Sequence, residues 1–473
     1  MRSWEAERVA EAAGATLERR SGHRGQPGAA AGPSGVSIDS RALAPGELFV
    51  GLPGSRVDGG AHAAAALEAG AWGVLVAPEH ARALEGGGAG DDGPLTGTGP
   101  VVLAHPHPLV ALQALAGAWR RELAEDGMKV VAITGSTGKT STKDILAALL
   151  GAHRRTFSSP ENLNTEIGLP LAILATPQDT QALVLEMAMR GAGQIAELTA
   201  IARPDVGVIV NVGPAHLELL GSLEAIAAAK AELIAGLAPG ATIVVPAGEP
   251  LLEAHLRGDL ETVSFGAGGD VALEQARPDG AVEVQLRGDR LTLRPSFGGA
   301  HNLLNLLAAV AAAEALGVRH EGSLEVRFSA LRGERRTLPG GVLLIDDCYN
   351  ANPMSMRAAI DELAETDASR RVAVLGDMLE LGPEAPRFHR EIGAHAARRG
   401  VGLLVTVGPL AALIGEGFEG EAHAVPDAPA AAELLGGLLR AGDAVLVKGS
   451  RSVGLELVAR TLAPALDAAP GRL

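Results

Sequence analysis

Cysteine and aromatic residues are scarce in this chain of 473 residues, which has one cysteine and only 2% aromatic residues. A single cysteine excludes an intramolecular disulfide and any cysteine-rich zinc site. Because aromatic side chains are so few, we expect the hydrophobic cores to consist of alanine, valine, leucine and isoleucine.

Long apolar segments are also lacking. The N-terminal segment has no apolar run of the signal-peptide type, and no stretch reaches the ~18 uninterrupted apolar residues of a membrane span. The longest candidate, residues 303–318, is interrupted by Asn305 and Glu314 and predicts a buried helix. We therefore expect a soluble, cytoplasmic protein.

Positive charge is in deficit, with 40 Lys and Arg against 56 Asp and Glu and a net charge of −16. This balance disfavours nucleic acid and anionic membranes as partners, because both select basic surfaces. A phosphorylated small substrate stays possible, since it needs only a local positive site.

The chain is 47% hydrophobic and 20% charged, as globular proteins are. At ~150 residues per domain, its length predicts about three domains. We expect a monomer.

Apolar strand-like runs alternate with helical segments along the whole chain, which predicts an α/β protein. We place three domains at residues 1–104, 105–316 and 317–473. In the central domain, the Val- and Ile-rich strands predict a doubly wound, mostly parallel sheet. Short alternating runs in 260–295 indicate an antiparallel hairpin at a sheet edge, and the glycine-rich segment 85–100 indicates a flexible loop.

The strongest local signal is VVAITGSTGKTST, residues 130–142, in which an apolar strand leads through a glycine-rich loop into a helix. Glycines let backbone N–H groups converge on phosphate oxygens at a helix N-terminus. Lys139 would supply a charge for the β- and γ-phosphates, and the hydroxyl of Thr140 would hold Mg²⁺. Ile133 stands where the common P-loop has glycine, which disfavours ordinary P-loop kinases and GTPases.

Two further polar groups follow predicted parallel strands. Glu186 ends the run ALVLE, and His216 follows the run VGVIVNV. The carboxyl ends of parallel strands meet at one edge of a sheet, so we expect both groups near Thr140. Each alone has a simpler interpretation, as a surface carboxylate and as a packed or capping histidine. By pattern alone, Lys230 in an alanine-rich helix is a solvated lysine.

These residues stand in segments that resemble the Mur ligases, the ATP-dependent amide-forming enzymes of peptidoglycan precursor synthesis. The resemblance covers nearly the whole chain. The C-terminal segments are similar to those of members that add D-alanyl-D-alanine. The matching segments are SIDSRALAPGELFVGLPG (37–54), TGSTGKTST (134–142), ENLNTEIGLP (161–170), EMAMRGAGQI (186–195), NVGPAHLELLGS (211–222), AKAELI (229–234), HNLLN (301–305), DDCYNANPMSM (346–356), LGDMLELG (375–382) and VLVKGSRS (445–452).

Some positions depart from the family pattern. Ala188 stands where glycine is frequent, Gln194 where glutamate is frequent, and residues 331–333 replace a more typical Gly-Arg. Cys348 occupies a usual serine position, and we expect it to pack as a small residue because the family's chemistry needs no thiol. None of these departures removes a predicted metal ligand or the phosphate lysine.

The resemblance implies three α/β domains, with a P-loop-like ATP site in the central one and a Rossmann-like C-terminal domain. It implies ATP-dependent joining of D-alanyl-D-alanine to UDP-N-acetylmuramoyl-tripeptide through an acyl phosphate. The implied cofactors are ATP and two Mg²⁺ ions, with Lys230 carbamylated so that it becomes an oxygen ligand.

The resemblance also assigns site residues. The residues assigned to catalysis are Lys139, His216 and Lys230. The residues assigned to metal binding are Thr140, Glu186, His216 and Lys230. ATP binding falls to Gly135, Ser136, Thr137, Gly138, Lys139, Thr140, Ser141, Asn302, Arg332 and Asp347. Substrate binding falls to Ser40, Arg41, Asn162, Asn164, Thr165, Asn350, Asn352, Asp377 and Lys448.

Alternatives stay open at this point. A P-loop phosphotransferase would move phosphate to a hydroxyl, and a related amide ligase would use another amino-acid substrate. A nucleotide-binding regulator would need no catalysis. The triplet Asp39-Ser40-Arg41 is a weak signal outside its longer motif and would also suit a turn with an exposed arginine.

Overall fold

The computed structural model describes residues 1, 4–21, 32–54, 57–85, 98–160 and 162–467. Residues 86–97, most of the predicted glycine-rich loop, lie outside the described part of the chain. The described residues form three β-sheets of five, ten and six strands. Contacts divide the chain into two compact units, the first with Met1–Ala132, Arg154–Ala188 and Ala196–Asp205, the second with Ile133–His153, Met189–Ile195 and Val206–Leu473.

The first sheet has the strand order β1-β5-β4-β3-β2, and all its pairs are parallel except β1 with β5. Its core is built from small and branched residues such as Val74 and Val102, together with Phe49. The elements in this part of the chain are α1 (Ala6–Ala13), β1 (Thr16–Ser21), β2 (Val36–Ser37), β3 (Leu48–Val50), α2 (Ala63–Glu68), β4 (Gly73–Val76), α3 (Pro78–Glu85), β5 (Thr98–Ala104) and α4 (Pro108–Glu125).

The second sheet has ten strands. Its elements are β6 (Lys129–Thr134), α5 (Lys139–Gly151), β7 (Thr156–Ser158), α6 (Gly168–Leu174), β8 (Ala182–Glu186), α7 (Gln194–Ala202), β9 (Val206–Ile209), α8 (Leu217–Leu220), α9 (Leu223–Gly236), β10 (Thr242–Pro246), α10 (Pro250–Glu253), β11 (Glu261–Phe265), β12 (Val271–Ala276), β13 (Val282–Leu286), β14 (Asp289–Pro295), α11 (Ala300–Ala315) and β15 (Gly322–Leu324). In the first unit, β7 pairs with β8 in parallel. In the second unit, the order is β15-β14-β13-β12-β11-β10-β9.

The predicted hairpin is present, because β12, β13 and β14 pair antiparallel, but its predicted place at the edge of the sheet is wrong. Strand β15 pairs with β14 in parallel and lies outside it. This strand has only three residues, too few to show a hydrophobic period in the sequence.

The third sheet has the order β16-β17-β21-β18-β19-β20 and is parallel except for β16. Separate apolar clusters cover its two faces, so the sheet is doubly wound as the predicted Rossmann-like domain requires. Its elements are β16 (Glu334–Leu338), β17 (Val342–Asp346), α12 (Pro353–Glu365), β18 (Arg370–Gly376), α13 (Ala385–Arg398), β19 (Leu403–Val407), α14 (Ala412–Glu416), β20 (Glu421–Val425), α15 (Ala428–Leu438), β21 (Asp443–Lys448) and α16 (Glu456–Asp467).

The predicted α/β class and the mostly parallel central sheet are confirmed. Helix α11 buries most of its length, as the apolar run at 303–318 predicts. None of the helices in the described ranges combines the length and the apolar composition that a membrane crossing requires. The three domain boundaries stay predictions.

Candidate active site

The predicted phosphate loop connects β6 to α5. Gly138 adopts a left-handed φ of 77°, and a Cβ on it would lie 2.5 Å from Oδ1 of the buried Asn305. Only glycine meets both conditions without strain. Lys139 begins α5 and donates from Nζ to the carbonyl of Gly135 at 2.9 Å, while Thr140 is 3% exposed. Contacts within a few residues therefore fix both the turn at Gly138 and the position of the Lys139 side chain.

The side chain of Asn211, which follows β9, fixes the shape of this loop. Its Oδ1 accepts the N–H groups of Ser136 and Thr137 at 3.1 and 3.0 Å, and its Nδ2 donates to the carbonyl of Thr137 at 3.1 Å. The hydroxyl of Ser136 also donates to the carbonyl of Gly213 at 2.8 Å and accepts its N–H at 2.9 Å. The first half of the loop is thus ordered by protein contacts alone.

Lys139, His216 and Lys230 share one electrostatic environment in the second unit. Lys230 on α9 is 1% exposed, and burial together with the positive charge of Lys139 holds its pKa well below the usual value. Burial also lowers the pKa of His216, a hydrogen bond with Glu380 opposes this effect, and both lysines lower that pKa further. Lowered pKa values with these causes are concentrated at functional sites, and the charge of Lys139 favours an anionic ligand.

The predicted adenine-side residues lie on α11, which packs along α5. Asn305 is 4% exposed and donates from Nδ2 to Oδ1 of Asn302 at 3.3 Å. Because Asn305 also contacts Gly138, the structure brings Asn302 to the same end of α5 as the phosphate loop. Its predicted contact with ATP stays a prediction.

Three predicted residues of the C-terminal domain meet where β17 and β21 end. The side chain of Lys448 is 3% exposed, and its Nζ donates to Oδ2 of Asp347 at 2.6 Å and to the carbonyl of Asn350 at 3.0 Å. Arg332 stacks over the ring of Tyr349 with its guanidinium carbon 4.1 Å from the ring centroid. Lys448 therefore orders the DDCYN segment and holds the carboxylate of Asp347.

Asn352, at the start of α12, links the C-terminal domain to the phosphate loop. It caps α12 through a capping box with Ser355, and its Nδ2 donates to the carbonyl of Ser136 at 3.3 Å. Next to it, Met354 lies so close to Gly213 that a Cβ there would meet its sulfur. The segments that carry the predicted ATP and dipeptide residues are therefore in contact.

Two residues discussed in the sequence analysis, Asp377 and Cys348, form hydrogen bonds within the protein. Asp377 is 7% exposed and accepts the N–H of Ala411 at 2.6 Å through Oδ1, which orders the turn after β19. Its assignment to the dipeptide stays a prediction. Cys348 is 1% exposed and its sulfur donates to Oδ1 of Asp346 at 2.9 Å, and burial raises its pKa. The prediction that Cys348 is a packed residue is confirmed.

In the first unit, Asn164 and Glu186 contact each other. Asn164 donates from Nδ2 to Oε1 of Glu186 at 2.8 Å, and Glu186 is 3% exposed at the end of β8. Asn162 and Thr165 are exposed on the same segment. A predicted substrate residue thus contacts a predicted metal ligand. The predicted proximity of Glu186 to Thr140 stays a prediction.

The other predicted substrate residues of this unit lie in the loop after β2. Arg41 is exposed and pairs with Asp39 at 2.9 and 2.7 Å, and these hydrogen bonds lower the pKa of Asp39 to about 2. Ser40 is half-buried beside them. This geometry suits a turn with an exposed arginine, so uridine binding by Ser40 and Arg41 stays a prediction.

Comparison with known proteins supports these assignments of segments. The description "Mur ligase family, catalytic domain" matches residues 33–115, "Mur ligase middle domain" matches 133–313, and "Mur ligase, glutamate ligase domain" matches 331–451. The chain belongs to the Mur ligase family. This Mur ligase is similar along most of its length to UDP-N-acetylmuramoyl-tripeptide--D-alanyl-D-alanine ligases. It is 37% identical over 439 residues to that of Synechocystis sp., covering 90% of this chain and 91% of the relative.

A further curated relative and two solved structures show the same similarity. The ligase of the same name from Bacillus subtilis is 35% identical over 439 residues, covering 90% of this chain and 93% of the relative. Among solved structures, MurF from Acinetobacter baumannii matches with a TM-score of 0.81, 28% identity and coverage of 98% and 99% of the two chains. MurF from Thermotoga maritima in complex with ADP matches with a TM-score of 0.77, 30% identity and coverage of 92% and 98%.

The donor set of this Mur ligase fits Mg²⁺ that is bound partly by phosphate oxygens. Within the described ranges, no three His, Cys, Asp or Glu side chains form a ready-made metal cluster. Mg²⁺ held with a nucleotide does not need one, because hydroxyl, phosphate and water oxygens complete its shell. The phosphate loop offers such a position, since Thr140 is buried in it. The hydroxyl of Thr134, just before the loop, is also buried without a protein partner among the described residues.

Two residues of the site were not singled out from the sequence. Asn211 and Glu380 stand in the motifs NVGPAHLELLGS and LGDMLELG, but neither motif shows which side chain contacts a distant segment. The signal that could have drawn attention to them is a polar residue in the loop that follows a buried strand. Their partners lie 74 and 164 residues away in the chain.

We predict that Asn211→Ala weakens the binding of a non-hydrolysable ATP analogue about tenfold, because the N–H of Thr137 loses its acceptor and the N–H of Ser136 keeps only the backbone carbonyl of residue 211. Isothermal titration calorimetry measures this change. Gln275→Ala removes an exposed amide on β12 and serves as the control. Unchanged affinity in Asn211→Ala would show that the loop keeps its shape without this side chain.

Proposed function

We propose that this chain is an ATP-dependent ligase that joins D-alanyl-D-alanine to UDP-N-acetylmuramoyl-tripeptide in peptidoglycan precursor synthesis. The observation that carries the proposal is the group of Lys139, His216 and Lys230 at a phosphate loop that also contacts Asn352 of the C-terminal domain. The similarity to ligases of this name over 90% of the chain supports the choice of substrates. ATP and the UDP-peptide are both polyanions, which suits a local positive site in an acidic protein.

In the first step, the terminal carboxylate of the tripeptide attacks the γ-phosphorus of ATP. An O–P bond forms, the bond to ADP breaks, and an acyl phosphate results. The nucleophile and the triphosphate repel each other, so positive groups must lie where they meet. Lys139 supplies one such charge at the loop. The deeply buried setting of Lys230 strengthens any electrostatic interaction there.

In the second step, the amine of D-alanyl-D-alanine attacks the acyl carbon and forms a tetrahedral intermediate. Phosphate then leaves with the former carboxylate oxygen, the amine gives up a proton, and the amide remains. Water would compete for the acyl phosphate, so the site must exclude it. We propose that the C-terminal domain excludes it, and the contact of Asn352 with Ser136 supports this role.

Thr140 and Glu186 would hold one Mg²⁺ ion, and His216 and carbamylated Lys230 would hold the second. Bound Mg²⁺ screens the negative charge of phosphate and acyl oxygens. The state of Lys230 supports carbamylation, because a lowered pKa leaves more neutral amine. The neutral amine attacks CO₂, an N–C bond forms and one proton is released. The product carries a carboxylate-like group in place of an ammonium that would repel Mg²⁺.

The remaining residues divide between the three substrates. Three predicted domains, 1–104, 105–316 and 317–473, serve the uridine nucleotide, ATP and the dipeptide in that order, in a monomer. Contacts to ATP come from residues 135–141, Asn302, Arg332 and Asp347. Contacts to the UDP-tripeptide come from Ser40, Arg41, Asn162, Asn164 and Thr165, and contacts to the dipeptide come from Asn350, Asn352, Asp377 and Lys448.

The ligation assay tests the proposed function. We expect phosphate release that requires ATP, a UDP-tripeptide and D-alanyl-D-alanine together, with a product mass equal to the two joined minus water. Single amino acids in place of the dipeptide test the related-ligase alternative. Phosphate release without the UDP-tripeptide, or a phosphorylated hydroxyl product, would favour a phosphotransferase instead.

We predict that Lys139→Ala lowers the rate of ligation by at least about 100-fold, because a charge that stabilises phosphoryl transfer is lost. Phosphate release measures the rate, and circular dichroism shows whether the fold is intact. Lys129→Ala is the matched control, since Lys129 is 51% exposed on the same strand that leads to the loop. Near-normal turnover in Lys139→Ala would contradict the assignment of the phosphate loop.

We predict that Lys230→Ala abolishes ligation and that added short carboxylic acids restore part of it, since they can replace the carbamate oxygen. In wild-type protein supplied with ¹³C-bicarbonate, a carbamate carbon signal should appear in the NMR spectrum and be missing from the variant. Lys129→Ala should keep both the signal and the activity. A fully active Lys230→Ala protein would refute the carbamate role.

A further inference from the structure

Glu380 of the C-terminal domain contacts His216, a proposed ligand of the second metal ion. It lies in the loop that follows β18, and its Oε2 is 2.5 Å from Nδ1 of His216. The backbone carbonyl of Glu380 accepts the N–H of Glu218 at 3.1 Å, and its Oε1 lies 3.7 Å from Nε of Arg190. One residue of the C-terminal domain thus contacts three residues of the central domain.

Both members of the Glu380–His216 pair have unusual backbones. His216 has a φ of 59° and Glu380 a φ of 62°, in the left-handed region that non-glycine residues rarely adopt. Such strain persists only where the surroundings impose it, and it is concentrated at functional sites. Here the strained backbones direct an imidazole and a carboxylate at each other.

The hydrogen bond determines which nitrogen of His216 is available. An ionised carboxylate can only accept, so Nδ1 must carry the proton. In the neutral imidazole, Nε2 then has the free electron pair. Histidines that bind metal ions commonly donate their other N–H to a carboxylate, which fixes the tautomer and the orientation of the ring.

We propose that Glu380 is a positioning residue that fixes His216 in its Nδ1–H tautomer, with Nε2 available to an ion, once the C-terminal domain has docked. The use of Nε2 by an ion rests on the proposed function. The tautomer itself does not, because it follows from the hydrogen bond in the protein without ligands.

The carboxylate is not needed merely to hold the two loops together. The bond from Glu218 N–H to the carbonyl of Glu380 involves only the backbone, and Gly382 also approaches the backbone of Glu218 closely. Both contacts remain when the side chain of Glu380 is shortened. Loss of the carboxylate should therefore affect His216 while the loop stays docked.

The first experiment records ¹⁵N spectra of the histidine rings in protein without metal or substrate, with His216 assigned from its missing signals in His216→Gln. Wild type should show His216 with a protonated Nδ1. Glu380→Ala should lose this tautomer preference, and Glu380→Gln should keep it, because the amide oxygen still accepts. Glu384→Ala, which removes an exposed carboxylate paired with Arg387, should change nothing. An unchanged tautomer in Glu380→Ala would overturn the proposal.

The second experiment measures steady-state ligation by the same variants. Glu380→Ala should lower kcat about 10- to 100-fold, as losses of carboxylate partners of metal-bound histidines do, while KM for ATP stays near that of wild type. Glu380→Gln should recover most of kcat. Equal losses in Glu380→Ala and Glu380→Gln, or a rise in KM for ATP that accounts for the loss, would contradict positioning. A wild-type protein without ligation activity would count against the proposed function, and the NMR result would still decide the tautomer.

Discussion

The repulsion between a carboxylate nucleophile and a triphosphate is the constraint on which this structure depends. The protein has a net charge of −16, so it must create positive potential locally. It does so with Lys139 at the start of α5, whose positive charge also helps to lower the pKa of the buried Lys230 on α9. Anionic substrates and a carbamate on Lys230 would interact favourably with the charge of Lys139. The ligand-free site thus holds a positive charge that anions stabilise.

Order in the site comes from side chains that contact the loops from outside them. Asn211 forms hydrogen bonds with the backbone in the first half of the phosphate loop, and Asn305 fills the space beside Gly138. Asn352, at the start of α12, contacts the loop from the C-terminal domain. None of the three carries a charge, so they shape the loop without weakening its attraction for phosphate. Preorganised polar groups of this kind do not have to rearrange when charge develops during the reaction.

Local patterns predicted most of the strands and helices near the site. Residues 130–142 form β6, the glycine-rich loop and the start of α5 in the predicted order, and Glu186 ends β8 as predicted. The edge strand β15 was missed because three residues carry no period. The phosphate loop was predictable because glycine, lysine and threonine occur there in a fixed order between a strand and a helix.

The partners of the site were harder to predict, because a sequence pattern does not state which distant segments meet. The contact of Glu380 with His216 joins residues 164 positions apart, and the burial of Lys230 depends on packing that an alanine-rich helix does not reveal. By pattern alone Lys230 is a solvated lysine, and that interpretation is wrong. Only the resemblance to the Mur ligases predicted a role for Lys230 in the site.

The ligation mechanism depends on direct attack of the UDP-tripeptide carboxylate on ATP. The most direct test uses UDP-tripeptide labelled with ¹⁸O in its terminal carboxylate, and measures the mass of the phosphate released during ligation to D-alanyl-D-alanine. An acyl-phosphate route transfers one carboxylate oxygen to each phosphate, so the phosphate should carry ¹⁸O. Unlabelled phosphate, formed together with the ligated product, would contradict this account.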